Sequence, residues 1–294
     1  MSWRTVVISN NAKLDYQIGY LVVRGSETTK IHLNEIGMLI IESTAVSMTS
    51  YLLNELVKNK IKVVFCDEKR NPSSELVPYY GSHDTSAKIR KQIEWTKDDK
   101  AHIWTEIVSE KIKQQALLLQ KYGKQEANML FQYMHEVEFG DVTNREGHAA
   151  KVYFNALFGK SFTRTEDNPV NAALNYGYSI ILSIFNREIV SLGYITQIGL
   201  FHDNMFNQFN LASDLMEPFR PLVDSLVIEL KPDKFESDEK YSMLKILNTE
   251  VIVADKKEVL TNAIKIYCRS VCDALNDRDV SLIRFYYKIG RAHV

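Results

Sequence analysis

Cysteine is scarce: Cys66, Cys268 and Cys272 are the only three in 294 residues. No even, spaced set exists to form a disulfide framework. Cys268 and Cys272 lie four apart in a helix-like stretch and would share a face. With no His or second Cys pair beside them they make a poor zinc site. They read as small buried hydrophobes, and a reducing cytoplasm is expected. No apolar run approaches the roughly 18 residues a membrane span needs. The first residues pass straight into a strand pattern without a charged start or cleavage site, so no secretory leader is expected. Neither sign of charge dominates: 36 Lys and Arg stand against 37 Asp and Glu, a net of −1. That balance argues mildly against a dedicated nucleic-acid binder, which is often strongly basic. Local charge is different. Positions 88–124 carry nine Lys or Arg and five Asp or Glu, and a basic face can act on a neutral protein because phosphate attraction decays over roughly 8–10 Å.

The length suggests about two domains, and the patterns divide accordingly. Residues 5–8, 16–23, 30–33, 38–41 and 62–66 are β-branched, aromatic or apolar runs of strand length. Tyr51, Leu52, Leu53, Leu56 and Val57 recur at helical spacing behind a Ser47 or Thr49 cap. Turn-rich clusters at 71–74 and 81–86 close this half. Beyond them the signal turns helical, over 86–109, 110–122, 125–135, 144–158, 170–192, 204–216, 220–230 and 260–274. The expected fold class is α+β: a small β-rich domain over residues 1–81 and a larger all-helical domain over 82–287. Residues 288–294 break the pattern and resemble a translated sequencing-adapter read, so a non-native tail is suspected there.

Three helical-half segments carry groups suited to chemistry. In Thr143-Asn144-Arg145-Glu146-Gly147, an Asn cap and first-turn Glu open an apolar helix. Such a carboxylate commonly does no more than complement the helix dipole. In Gly199-Leu200-Phe201-His202 a histidine sits in a glycine-containing loop, where a lone His is more often structural than a ligand. In Asp214-Leu215-Met216-Glu217-Pro218-Phe219-Arg220-Pro221 two carboxylates three apart would share a helix face, and Glu217 precedes a proline that disfavours helical geometry. Burying them in so apolar a segment is costly without a cation or hydrogen-bond partners. A Glu, a His and an acidic pair make a plausible hard-metal site. Oxygen ligands suit Mg²⁺ or Mn²⁺, and one imidazole shifts the balance toward Mn²⁺.

These segments, with His32-Leu33-Asn34-Glu35-Ile36, Glu42-Ser43-Thr44-Ala45-Val46-Ser47, 62–69, 78–84 and Ala172-Ala173-Leu174-Asn175-Tyr176-Gly177-Tyr178, resemble the CRISPR spacer-acquisition integrases, the Cas1 family, most closely the type II-A branch. The likeness covers residues 1–287. It implies that Glu146, His202 and Glu217 are catalytic metal ligands for Mg²⁺ or Mn²⁺, with Asp214 in support. It further implies a DNA integrase and endonuclease that inserts short DNA into a CRISPR array by transesterification. The β domain would form a homodimer. The small ferredoxin-like Cas2 would bridge two dimers, and a ring-forming DNA-binding protein and the effector nuclease would join in type II-A systems. Arg145, Lys160, Arg164 and Arg187 are candidate contacts to double-stranded DNA. A non-specific metal-dependent DNase and a non-catalytic DNA-binding scaffold are the competing readings.

Overall fold

A computed structural model of the chain describes residues 4–79 and 81–288. It divides into two compact units, Met1–Gly81 and Ser82–Val294. Of the suspected tail 288–294, Lys288 closes the last strand, Tyr286–Lys288, and 289–294 lie outside the described residues.

The first unit holds β1 (Arg4–Ile8), β2 (Ala12–Gln17), β3 (Tyr20–Arg24), β4 (Thr28–His32), β5 (Ile36–Ile41), β6 (Val46–Met48), α1 (Ser50–Lys58), β7 (Lys62–Cys66) and β8 (Pro72–Leu76). They form two four-stranded sheets, ordered β1-β5-β7-β8 and β4-β3-β2-β6. The first is parallel except for β8; in the second β2, β3 and β4 are antiparallel and β6 joins β2 in parallel. Leu14, Leu21, Ile36, Leu39, Leu52, Leu56 and Val63 are fully buried between them. The strand expected over 16–23 is instead a hairpin. Gln17 pairs with Tyr20 across Ile18 and Gly19, both at positive φ (44° and 83°). A two-residue hairpin needs that hand of backbone, and the β-branched Ile18 concealed the signal that Gly19 gave.

The second unit contains α2 (Thr85–Ile93), α3 (Lys97–Lys121), α4 (Ala127–His135), α5 (Arg145–Phe158), α6 (Pro169–Ser191), α7 (Asn210–Leu215), α8 (Arg220–Leu230), α9 (Ser237–Met243) and α10 (Leu260–Asp277). The break between α2 and α3 falls at 94–96 rather than at 109. Thr96 and Asp99 close a reciprocal capping box that starts α3 there, satisfying N–H groups that no helical turn can reach. This unit is not all-helical as expected. β9 (Glu250–Val253) pairs antiparallel with β10 (Lys256–Val259) and with β11 (Tyr286–Lys288). The β-branched run Val251-Ile252-Val253 and a turn with Ala254 and Asp255 at positive φ carry the hairpin.

Helix α3 runs through the middle, packed on α4, α5, α8 and α10. Helices α6 and α8 meet closely at Gly177, where an added Cβ would stand 2.4 Å from Val223 Cγ1. Phe185, Phe219, Tyr267 and Tyr286 form a buried aromatic cluster, with Phe219 at 5.3, 5.2 and 4.6 Å from the other three rings. Among the described residues no helix is long and apolar enough to cross a membrane. All three cysteines are buried and outside any disulfide, and Cys268 and Cys272 sit in the core as expected of small hydrophobes.

Candidate active site

The candidate residues come from three structural devices, each built locally. Glu146 lies in the first turn of α5. Asn144 caps that helix from a left-handed backbone (φ 53°), its side chain accepting the Gly147 N–H at 3.2 Å. The buried Asp141 carboxylate accepts the N–H groups of Arg145 (2.7 Å) and Glu146 (3.1 Å). Two side chains thus hold the backbone from which Glu146 projects.

His202 sits in the loop before α7. The fully buried Asp214 carboxylate accepts the backbone N–H groups of Leu200 (2.6 Å), Phe201 (3.2 Å) and His202 (3.1 Å), and it also bonds the His202 ring at Nδ1. Gly199 makes that approach feasible: a Cβ there would lie 2.4 Å from the His202 carbonyl oxygen and 2.7 Å from Asp214 Oδ2. The hydrogen bond to Asp214 raises the imidazole above its ordinary value, against burial, and the Asp214, Glu217 and Glu146 charges add to the rise.

Glu217 opens a short 3₁₀ turn, Glu217–Phe219, between α7 and α8. The α-helix already ends at Leu215, and Glu217, expected to leave helical geometry before Pro218, stays within the tighter 3₁₀ turn. Phe219 anchors the turn in the aromatic cluster, and Tyr286 of β11 donates to the Pro218 carbonyl at 3.1 Å. Arg220 Nε bonds the Glu217 carboxylate at 2.8 Å, and its guanidinium lies 4.6 Å over the Tyr178 ring. Beneath them, the Tyr153 and Tyr178 hydroxyls both donate to the buried Asp224 carboxylate.

The group that joins the glutamates is Lys111, mid-way along α3. Its buried ammonium contacts both Glu146 and Glu217. Burial would lower the lysine, but the Glu217 and Glu146 charges outweigh it and hold the ammonium charged. Burial would likewise raise Glu217, but Arg220 and Lys111 bring it down to about 2. Glu146 and Glu217 therefore meet on one cation. The His202 ring is held instead by Asp214, through Nδ1. Among the described residues, no group of three His, Cys, Asp or Glu side chains is arranged around a metal position. Asp214 and Glu217 do not act as a pair on one face, since Asp214 serves the 200–202 loop and Glu217 serves Lys111 and Arg220.

The donor chemistry nevertheless fits a divalent cation. Two carboxylates, one deeply buried, already enclose a positive charge between them. The Asp214 bond at Nδ1 leaves Nε2 as the imidazole nitrogen a metal would take, the usual arrangement for a ligand histidine oriented by a carboxylate. A cavity of about 350 Å³ opens beside His202, lined by Lys97, Lys100, Trp104 and Phe201. Phe201 stacks on the buried Trp104 at 4.7 Å, with the rings nearly parallel.

The candidate DNA contacts fare unevenly. Arg145 pairs with Glu136 at 3.0 Å and lies over Tyr133. Arg164 bonds Asn171 and Asn175. Arg187 bonds Glu188 at 2.7 Å. Lys160, just past α5, is exposed.

Lys111, Asp141, Tyr153, Tyr178 and Asp224 escaped the sequence reading. For Lys111 a signal existed: it falls on the apolar stripe of Trp104, Ile107, Val108 and Leu118, and a lysine on such a stripe needs a buried acidic partner.

Residues 5–254 match the family model for CRISPR associated protein Cas1. The chain belongs to the Cas1 family. A CRISPR-associated endonuclease Cas1 from Neisseria meningitidis is 37% identical over 232 residues, covering 78% of this chain and 76% of the relative. Among solved structures, a casposase bound to integration product superposes with a TM-score of 0.78 at 18% identity, over 100% of this chain and 96% of that one. A chain of a Cas6-RT-Cas1–Cas2 complex gives 0.72 at 18% identity, over 99% of this Cas1 chain and 36% of the longer one. At that identity the structural matches speak for the fold.

Proposed function

We propose that this Cas1 protein is a metal-dependent DNA integrase that inserts short DNA into a CRISPR array by transesterification. The observation that carries the reading is the convergence of Glu146 and Glu217 on one cation, with the His202 imidazole oriented by the buried Asp214. The endonuclease name of the Neisseria meningitidis relative and the integration product in the casposase structure support the same chemistry.

Glu146, Glu217 and His202 would hold Mg²⁺ or Mn²⁺. Bound there, the ion would supply Lewis-acid stabilisation of charge on phosphoryl oxygens. The 3′-hydroxyl of the incoming strand attacks phosphorus at the repeat boundary. A new P–O bond forms and the old one breaks; the attacking hydroxyl loses its proton and the departing 3′-oxygen gains one. A second attack on the opposite strand completes insertion. Bond count is conserved, so the reverse reaction is open as well. The protein's part is alignment. Asp214 sets the histidine tautomer, Arg220 holds Glu217, and the α5 caps hold Glu146. The cavity beside His202, with Lys97 and Lys100 at its rim, suits a phosphodiester strand. Lys160 remains the exposed candidate for further phosphate contact.

For partners, the reading is a homodimer through the β-rich unit, bridged by Cas2. The Cas1–Cas2 composition of the structural neighbour's complex supports the Cas2 partner. The type II-A assignment, with its ring-forming DNA-binding protein and effector nuclease, rests on the sequence motifs, and buried cysteines outside any disulfide suit a reducing cytoplasm. The deciding experiment mixes a repeat-bearing plasmid, a short duplex, the protein with its Cas2 partner and Mn²⁺. Branched, joined DNA is expected. Fragments alone would favour the non-specific DNase, and intact DNA the scaffold.

A further inference from the structure

The residue that sits between the two glutamates is a lysine, and the proposed reaction makes no use of it. Lys111 is buried at mid-helix, where its backbone cannot retreat without disturbing α3, and its Nζ contacts Glu146 and Glu217 together. Arg220 does not share this position: it bonds Glu217 alone and rests on Tyr178. Lys111 Nζ takes one oxygen of each glutamate and Arg220 takes the other oxygen of Glu217, so a divalent ion bound by both carboxylates would meet the ammonium at close range, and their like charges would repel strongly in a poorly hydrated site. The lysine side chain, by contrast, is long and rotatable, so its head can leave while its stem stays packed.

Building on the metal reading above, we propose that Lys111 is an internal competing cation, and that a divalent ion loads this site only by displacing Lys111 Nζ from Glu146 and Glu217. The lysine keeps the glutamates paired and folded when metal is absent. It also makes apparent metal affinity weaker than the ligand set alone would give, since part of the binding free energy goes into breaking two ion pairs. The site is therefore filled only above a threshold of free divalent ion, and the displaced ammonium stays on α3 beside the reacting phosphate.

The test is calorimetric titration of Mn²⁺ into the full chain, with no DNA present, for the native protein, Lys111→Met and Lys113→Met. Lys113 is half-exposed two residues along the same helix, so its loss changes net charge equally without touching the site. Lys111→Met is expected to bind Mn²⁺ at least ~10-fold tighter than the native chain, with Lys113→Met unchanged. Equal or weaker binding by Lys111→Met, or a matching gain in Lys113→Met, overturns the inference and leaves the metal reading standing. Absence of binding in all three overturns both. Should Lys111→Met fail to fold, as judged by circular dichroism, acylation of the native protein by an amine-reactive ester replaces it. Peptide mass spectrometry is expected to find Lys111 protected without Mn²⁺ and modified with it; equal protection in both states overturns the inference.

Discussion

Asp214 grips His202 twice, accepting its backbone N–H at 3.1 Å and bonding its ring at Nδ1. One buried carboxylate thereby sets both where the histidine lies and which of its nitrogens faces outward. Asp214→Asn replaces an acceptor by a group that is half donor, and it faces three backbone N–H groups. Leaving one of them unpaired in the interior costs about 2 kcal/mol. Thermal unfolding should register that loss. Strand joining should fall a further ~10–100-fold in the folded fraction, the usual cost of removing the partner of a ligand histidine. Native activity in a folded Asp214→Asn protein would show that the histidine needs no such support.

Glu217 lies between Lys111 and Arg220, so its removal has two consequences that can be separated. Glu217→Ala leaves the buried Lys111 and the partly buried Arg220 short of a partner and should destabilise the protein by about 3–5 kcal/mol. Glu217→Gln keeps the shape and should cost less. Both should abolish strand joining, and Lys111→Met placed on Glu217→Gln should recover part of the stability without recovering activity. Denaturant melts and the joining assay read the two effects apart.

The Asp224 carboxylate beneath the site gives a pH signature. Burial drives it up to about 6, against the hydrogen bonds from Tyr178 and Tyr153 and the charges of Arg220 and Arg164. Between about pH 4 and pH 6 the folded chain holds a proton that the unfolded chain releases. This group's contribution to stability therefore falls as pH rises through that window, by about 3 kcal/mol in all. Asp224→Asn removes the titration, and a tyrosine hydroxyl can turn to accept from the new amide. The difference in unfolding free energy between mutant and native should grow across pH 4–6 in favour of the mutant. A constant difference would place the Asp224 titration elsewhere.

Glu146, His202, Asp214 and Glu217 drew notice because each stands in a segment of unusual local chemistry (a capped helix start, a glycine loop, a proline-bracketed acidic run), but it was the resemblance to the Cas1 family, not their spacing, that joined them into one ligand set. How they are held was less legible. Periodicity places Lys111 on a buried face but does not name its partners, which lie 35 and 106 positions away in sequence. Asp224 and the two tyrosines are ordinary helix residues until α5, α6 and α8 bring them together. The β9–β11 sheet was missed because its strands are three or four residues long and flank a strong helix, yet β11 supplies the Tyr286 that fastens the Glu217 turn. The hairpin at Ile18 and Gly19 shows the same limit on a smaller scale, since backbone hand decided it where side-chain pattern pointed to one strand.

The central claim is that Glu146, His202 and Glu217 converge on one divalent ion. Anomalous diffraction from crystals of the protein saturated with Mn²⁺ tests it most directly. The expected result is a single strong peak bonded by oxygens of Glu146 and Glu217 and by Nε2 of His202, with the Lys111 ammonium moved off the two carboxylates. Manganese bound elsewhere, with Lys111 still seated between the glutamates, would contradict it.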